Sequence, residues 1–248
     1  MAVAKTLVAR DTFEFSRTHH WPLFLVTALT LVAAPLSVQI LGGMSALALS
    51  LLLYAAGVFA VARSPKLFVV CIILGLGAAV LQAAIVWGGY RDVLLTLAFH
   101  LIAIAFIAIV GLCVLKALLR TATVTGDTVL GGVTAYLLLG VLFAFVYSLI
   151  ETFAPGSFTL PTSMAESGEV MTWIPSTPSE VQAPSPASGE LHLIYFSFTT
   201  MTTLGYGDIA PRSSIARSLS SVETVLGQLY LAILIARLVS VAKLQIRA

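Results

Sequence analysis

The chain contains no asparagine, only two cysteines and very few charges. Without Asn there is no acceptor for N-glycosylation. Cys71 and Cys113 each sit inside an apolar run, with no CxxC, no flanking His and no metal-ligand spacing, so they read as small buried hydrophobes. Asp, Glu, Lys and Arg make up 10% of the 248 residues and the net charge is +2, without any basic run interleaved with aromatics. Such a balance gives nucleic acid nothing to bind. HExxH and GxSxG are also missing, and nothing else suggests an enzyme or an organic cofactor. What is present is hydrocarbon: 59% of residues are hydrophobic and the mean hydropathy is +1.03, far outside the range of a water-soluble domain. This composition belongs to an all-α integral membrane protein in contact with lipid.

A helix crossing the hydrocarbon core needs about 20 largely apolar residues. Six segments meet that length, near Trp21 to Leu41, Met44 to Ala62, Leu67 to Tyr90, Val93 to Leu115, Thr128 to Ile150 and Ser218 to Ala242. Links of a few residues join the first four, which makes them antiparallel neighbours in one bundle. With the N-terminus inside, ten Lys and Arg residues lie on or near the cytoplasmic side and three outside, namely Arg91, Arg212 and Arg217. The positive-inside rule therefore predicts a multi-pass protein of the cell (plasma or inner) membrane with both termini cytoplasmic. The expected organisation is a cytoplasmic segment at 1–20, a four-helix transmembrane domain at 21–120, and a further domain at 121–248.

Within that last part, residues 151–190 hold six of the ten prolines, five glutamates and no Lys or Arg. They read as an extracellular linker, with PSTPSEVQAPSPASGE as a disordered solvated spacer and an apolar cluster at Val170, Met171, Trp173 and Ile174 that touches the interface or neighbouring helices. The next piece, 191–202, is uncharged and helix-like but about a dozen residues long, about 18 Å, too short to cross. The sixth span begins near Ser218, so this piece must enter and return on the outer side through TLGYGDIAP. Non-helical backbone at membrane depth survives only where protein buries it or where it lines a watery path. Gly205 and Gly207 take positive φ at little cost, and alternating them with L-residues turns successive carbonyls to one side, a ladder of oxygens suited to a dehydrated cation. Thr203 adds a hydroxyl at the inner end, and the preceding helix aims the negative end of its dipole at the same place.

Thr203, Leu204, Gly205, Tyr206 and Gly207 resemble the TVGYG filter of potassium channels. The likeness extends through TTMTTLGYGDIAP, through the order helix, loop, filter, helix, and to Gly227, placed 19 residues after Asp208 as a hinge glycine would be. It covers roughly Thr128 to Ala242; the first four spans match the six-helix layout in number only, and the chain looks prokaryotic. The resemblance implies a re-entrant pore helix at 191–202 and a filter at 203–208 between helices five and six. It implies K+ as the permeant ion, held at Thr203, Leu204, Gly205 and Tyr206, and a homotetramer, because four filter strands are needed to surround it. Leu204 stands where Val is commoner, which alters packing behind the filter more than its oxygens.

The same resemblance places Gln228, Leu231, Ile235 and Val239, which share a helical face, on an inner cavity and gate. For Gln228 a bond to a neighbouring helix is equally open. Glu223, the one carboxylate within a span, is a functional candidate by position and stands within reach of Ser197 or Thr199, where a bond would brace the filter. Asp208 at the outer mouth is expected to bond Tyr195. Some relatives carry a carboxylate in the pore helix where this chain has Thr199, so inactivation through a carboxylate pair is not expected.

Voltage sensing needs about 3 to 4 basic residues on one helix per subunit, and between Arg91 and Lys116 there is only His100. The four-helix domain is therefore not expected to sense voltage, and His100 reads as a packed neutral residue. TLVARDTFEFSRTHH reads as a solvated tail at the membrane boundary, with an interfacial helix and pH sensing by His19 and His20 as the alternative. Six residues follow Ala242, so no soluble ligand-binding domain is expected. The function predicted is passive K+ conduction. The rivals are a weakly selective cation channel of the same fold, a transporter, for which paired broken helices in internal repeats are not visible, and an accessory subunit.

Overall fold

The computed structural model describes residues 20–41, 43–62, 64–88, 92–121, 124–159 and 186–247. Among them the chain is helical: α1 (Trp21–Leu41), α2 (Gly43–Val61), α3 (Pro65–Gly88), α4 (Val93–Arg120), α5 (Gly126–Phe153), α6 (Pro186–Met201) and α7 (Ser214–Arg247). Pro65–Trp87, Val93–Arg120, Gly126–Phe153 and Ser214–Ser240 are long and apolar enough to cross a membrane, and Trp21–Ala33 and Leu47–Val61 are shorter apolar stretches within α1 and α2. The expected tail residues before His20, with His19, and the cluster Val170, Met171, Trp173 and Ile174 lie outside the described residues.

Polar punctuation sets the helix ends. Asp92 caps α4, its Oδ1 accepting from the Leu94 N–H at 2.9 Å. Thr125 and Thr128 form a capping box at the start of α5. The Ser213 hydroxyl accepts from the Ala216 N–H at the start of α7. Several helices run beyond their expected limits, the fourth, the last and the re-entrant candidate most clearly. The fourth continues to Arg120 instead of Leu115, because Lys116 and Arg120 extend the helix past its apolar run at the bundle's end. The last begins at Ser214 and runs to Arg247. The re-entrant candidate begins at Pro186 instead of Leu191, with proline in the first turn where its missing N–H is harmless.

Consecutive helices pack on one another, and α5 also contacts α1 and α7, which makes it the hub. One apolar core lies between α2, α3, α4 and α5, where Tyr54 meets Phe106 edge-on at 5.2 Å beside Cys71, Ala103, Val110 and Leu138. A second surrounds Tyr147 of α5 with Phe158 and Phe196 at 5.3 and 5.2 Å. Phe158 belongs to the segment expected to be an extracellular linker, yet it is 2% exposed. Glu151 holds this turn, its two oxygens accepting from the N–H groups of Gly156 and Phe158. Much of the outer surface remains apolar, with Ile73, Leu76, Val80, Ile233 and Ile235 exposed, as lipid or further copies of the chain require.

Candidate functional site

Residues 202–208 leave the C-terminal end of α6 and are exposed in the single chain. Three of them, at every second position, have positive φ: Thr203 (60°), Gly205 (55°) and Gly207 (82°). Thr203 is the unexpected member, since a β-branched residue in this region costs of order 1–3 kcal/mol and persists only where its surroundings hold it. The hold comes from α6. The Thr203 N–H donates to the Thr200 carbonyl at 3.0 Å, and the Gly205 N–H donates to the Thr199 carbonyl at 3.1 Å. Among the described residues no backbone N–H donates to the carbonyls of residues 203–207. Their oxygens therefore have no backbone partner among the described residues, which is costly inside a membrane unless something else satisfies them.

Two shoulders fix this segment. On the far side, residues 209–212 pair with the turn after α5: the Thr159 N–H donates to the Ala210 carbonyl at 2.9 Å and the Arg212 N–H to the Ser157 carbonyl at 2.7 Å, around an isolated bridge between Phe158 and Pro211. Ile209 is buried in the Tyr147 cluster. Tyr195 lies within electrostatic reach of the Asp208 carboxylate. On the near side, α7 presses on the end of α6. A Cβ at Gly227 would come within 2.6 Å of Met201 Cγ and 2.8 Å of the Met201 carbonyl oxygen. Gly227 thus permits the closest approach of the two helices, and α7 is helical straight through it. Gln228 Nε2 donates to the same Met201 carbonyl at 3.3 Å, and the Thr224 hydroxyl lies 3.4 Å from the Thr200 carbonyl. Further along α7, Ile235 and Val239 are exposed and Leu231 is half-buried, so this face is left largely uncovered by the chain itself.

Glu223 has 0% exposure. The Tyr147 hydroxyl donates to its Oε2 at 2.5 Å, and Ser197 Oγ lies 2.5 Å from its Oε1 and 2.7 Å from the Gly140 carbonyl. Of the two partners expected for Glu223, Ser197 makes the contact and Thr199 does not; the Thr199 hydroxyl donates to the Phe196 carbonyl of its own helix, and Thr199 reaches the loop through its backbone instead. Sequence reasoning missed Tyr147, although a lone phenol in the run VLFAFVYSLI was a visible signal. It also missed Gly140, where a Cβ would meet Phe198 Cζ at 2.7 Å and Met201 Cε at 2.9 Å.

His100 is buried, its Nδ1 bonded to the Thr96 carbonyl at 2.8 Å and its Nε2 3.5 Å from Glu190 at the start of α6. His20 is also buried: its backbone N–H donates to Asp127 Oδ1 at 2.7 Å and its ring packs against Gly131. In the C-terminal half of α7, the Arg237 guanidinium donates to the carbonyls of Leu119 and Thr121, where α4 ends.

No curated protein and no solved structure matches the chain. Residues 183–243 match a family model described as an ion channel, and the stretch takes in α7 to Lys243 and nearly all that precedes it from the start of α6. The match supports an ion-channel function for this multi-pass, all-helical membrane protein and places its signature on the segment that carries residues 203–208.

Proposed function

We propose that this chain is one subunit of a potassium-selective channel. Six helices, α1 to α5 and α7, cross the cell membrane with both termini in the cytoplasm, and α6 enters from outside and returns through residues 202–213. Four copies surround a central axis, and the carbonyls of Thr203, Leu204, Gly205 and Tyr206 take the place of water around K+. Gln228, Leu231, Ile235 and Val239 face the inner cavity. One observation carries this reading: positive φ at three alternate residues, in an exposed segment whose carbonyls receive no backbone N–H among the described residues. A strand of uniform hand alternates its carbonyls between two faces, whereas alternating hand brings them to one.

Reconstitution of the purified protein in vesicles tests the proposal. A K+ gradient should drive flux, and the reversal potential in mixed K+ and Na+ should follow K+. A reversal potential near zero in such mixtures would establish the weakly selective channel that Leu204 leaves open. No flux of either ion would leave an accessory subunit or a transporter.

A further inference from the structure

The three helices of the pore region meet at a buried cluster formed by Tyr147 of α5, Ser197 of α6 and Glu223 of α7. Three oxygen–oxygen contacts hold it, from Tyr147 Oη to Glu223 Oε2, from Ser197 Oγ to Glu223 Oε1, and from Ser197 Oγ to the Gly140 carbonyl. Each contact requires a proton between its oxygens. The phenol and the serine hydroxyl supply one each, and a backbone carbonyl supplies none.

We propose that the third proton belongs to Glu223, which is held as a neutral carboxylic acid and positions the pore helix as a hydrogen-bond donor. Tyr147 then donates to Oε2, Oε1–H donates to Ser197 Oγ, and Ser197 is free to donate to the Gly140 carbonyl. Every contact is satisfied and no charge remains. With an ionised carboxylate, one of the two Ser197 contacts sets lone pairs against each other, and a bare charge lies buried among apolar rings.

Among the described residues facing the group, none supplies a compensating cation. From α5 it meets Tyr147 and, at longer range, Tyr136; from α6 it meets Ser197; on its own helix Ser220 reaches Tyr147. The ion pair of His100 with Glu190 lies elsewhere in the fold. The chain of bonds ends on Ser197, one turn before the Thr199 and Thr200 carbonyls that hold Gly205 and Thr203. Glu223 is therefore a positioning residue for the loop and never touches the ion. The positioning role rests on the channel reading above, and the protonation state does not.

The test uses the full-length protein in lipid with isotope-labelled glutamate. At neutral pH its infrared spectrum should contain a protonated carboxylic-acid carbonyl band, shifted by the label and missing in Glu223→Gln. In the flux assay Glu223→Ala should lower K+ flux about tenfold, in keeping with a stranded buried hydroxyl, and Glu223→Gln should restore it, because the amide donates and accepts in the same places without charge. A wild-type spectrum lacking the band, or a band that survives in Glu223→Gln, overturns the proposal. So does a folded Glu223→Gln protein with the flux of Glu223→Ala. If no variant conducts, the infrared band still decides the protonation state, so failure of the channel reading and failure of this one are told apart.

Discussion

The two parts of this molecule differ in how often their polar groups reach from one helix to another. In α1 to α4 most buried or half-buried hydroxyls bond backward to their own helix: Thr27 to the Leu23 carbonyl, Thr30 to Val26, and the His100 ring to Thr96. Between those helices Ser50 bonds Gln82, and Trp87 bonds the Met44 sulfur. In α5 to α7 hydroxyls such as those of Thr134 and Ser220 also bond backward, but other bonds cross from helix to helix: Tyr147 to Glu223, Ser197 to Gly140, Gln228 to Met201, and Tyr230 to the Gly132 carbonyl at 2.7 Å. Apolar packing between helices is tolerant of small shifts, whereas a buried hydrogen bond is lost within a fraction of an ångström. The first arrangement makes a bundle. The second holds three helix ends in register around a loop.

The largest effect that should separate the two halves is at Gly205. Its φ of 55° lies where an L-residue is strained by roughly 1–2 kcal/mol, and nothing stands within 4 Å of a Cβ there, so conformation and not space is at issue. Gly205→Ala should reduce K+ flux in vesicles to background while the protein remains folded. Next is a matched pair of glycines. Gly227→Ala drives a methyl to 2.8 Å from the Met201 carbonyl, and overpacking of this kind costs about 1–3 kcal/mol. Gly75→Ala in α3 meets Phe106 and Tyr54 at 3.5 Å, an ordinary contact, and should gain the roughly 0.5–1 kcal/mol that alanine has over glycine in a helix. Thermal unfolding in detergent should fall for the first and hold or rise for the second. Equal losses would mean that α5 to α7 are packed no more tightly than the rest.

How much of this could be read in the sequence depended on whether a feature was local. The filter resemblance, the positions of Gly205 and Gly207, and the burial of Glu223 among apolar neighbours follow from a few adjacent residues. Thr203 at positive φ does not, because local preference opposes it and only the bonds from the end of α6 impose it. Tyr147 and Glu223 are 76 positions apart, so their bond exists only once α5 and α7 are packed. The start of α6 is legible in Pro186, the residue type that opens helices, but the Pro and Glu content of 151–190 argues for linker throughout. Phe158 was lost to the same averaging, one aromatic ring in a stretch whose overall composition argued for solvent.

Arg237 gives the comparison its sharpest intermediate case, because it bonds the two halves to each other. Its guanidinium reaches the Leu119 and Thr121 carbonyls, at the negative end of the α4 dipole, from the inner part of α7. Partly exposed, this link is worth about 1 kcal/mol. That is small against folding but comparable with the free energy that sets an open fraction. Arg237→Gln should change open probability severalfold in single-channel recordings while the K+ to Na+ permeability ratio stays at the wild-type value. A changed ratio would place Arg237 in the filter's support and not in a link between halves.

The smallest effect is expected at Thr27, and it is the strictest check on the division. Thr27 is as fully buried as Ser197, and its hydroxyl donates to a backbone carbonyl at the same 2.7 Å. The difference lies in what each bond joins. The Leu23 carbonyl keeps its own helical N–H when Thr27 becomes Val, so the loss should stay below about 1 kcal/mol and K+ flux should be unchanged. Ser197→Ala removes one hydroxyl of the same kind but leaves Glu223 Oε1 facing a methyl group and removes a bond from α6 to each of α5 and α7. Flux should fall several-fold there with little change in unfolding temperature. Should Thr27→Val depress flux as much as Ser197→Ala, the hydroxyls of α1 to α4 would also be positioning the loop, and the contrast between a packed bundle and a hydrogen-bonded pore would not hold.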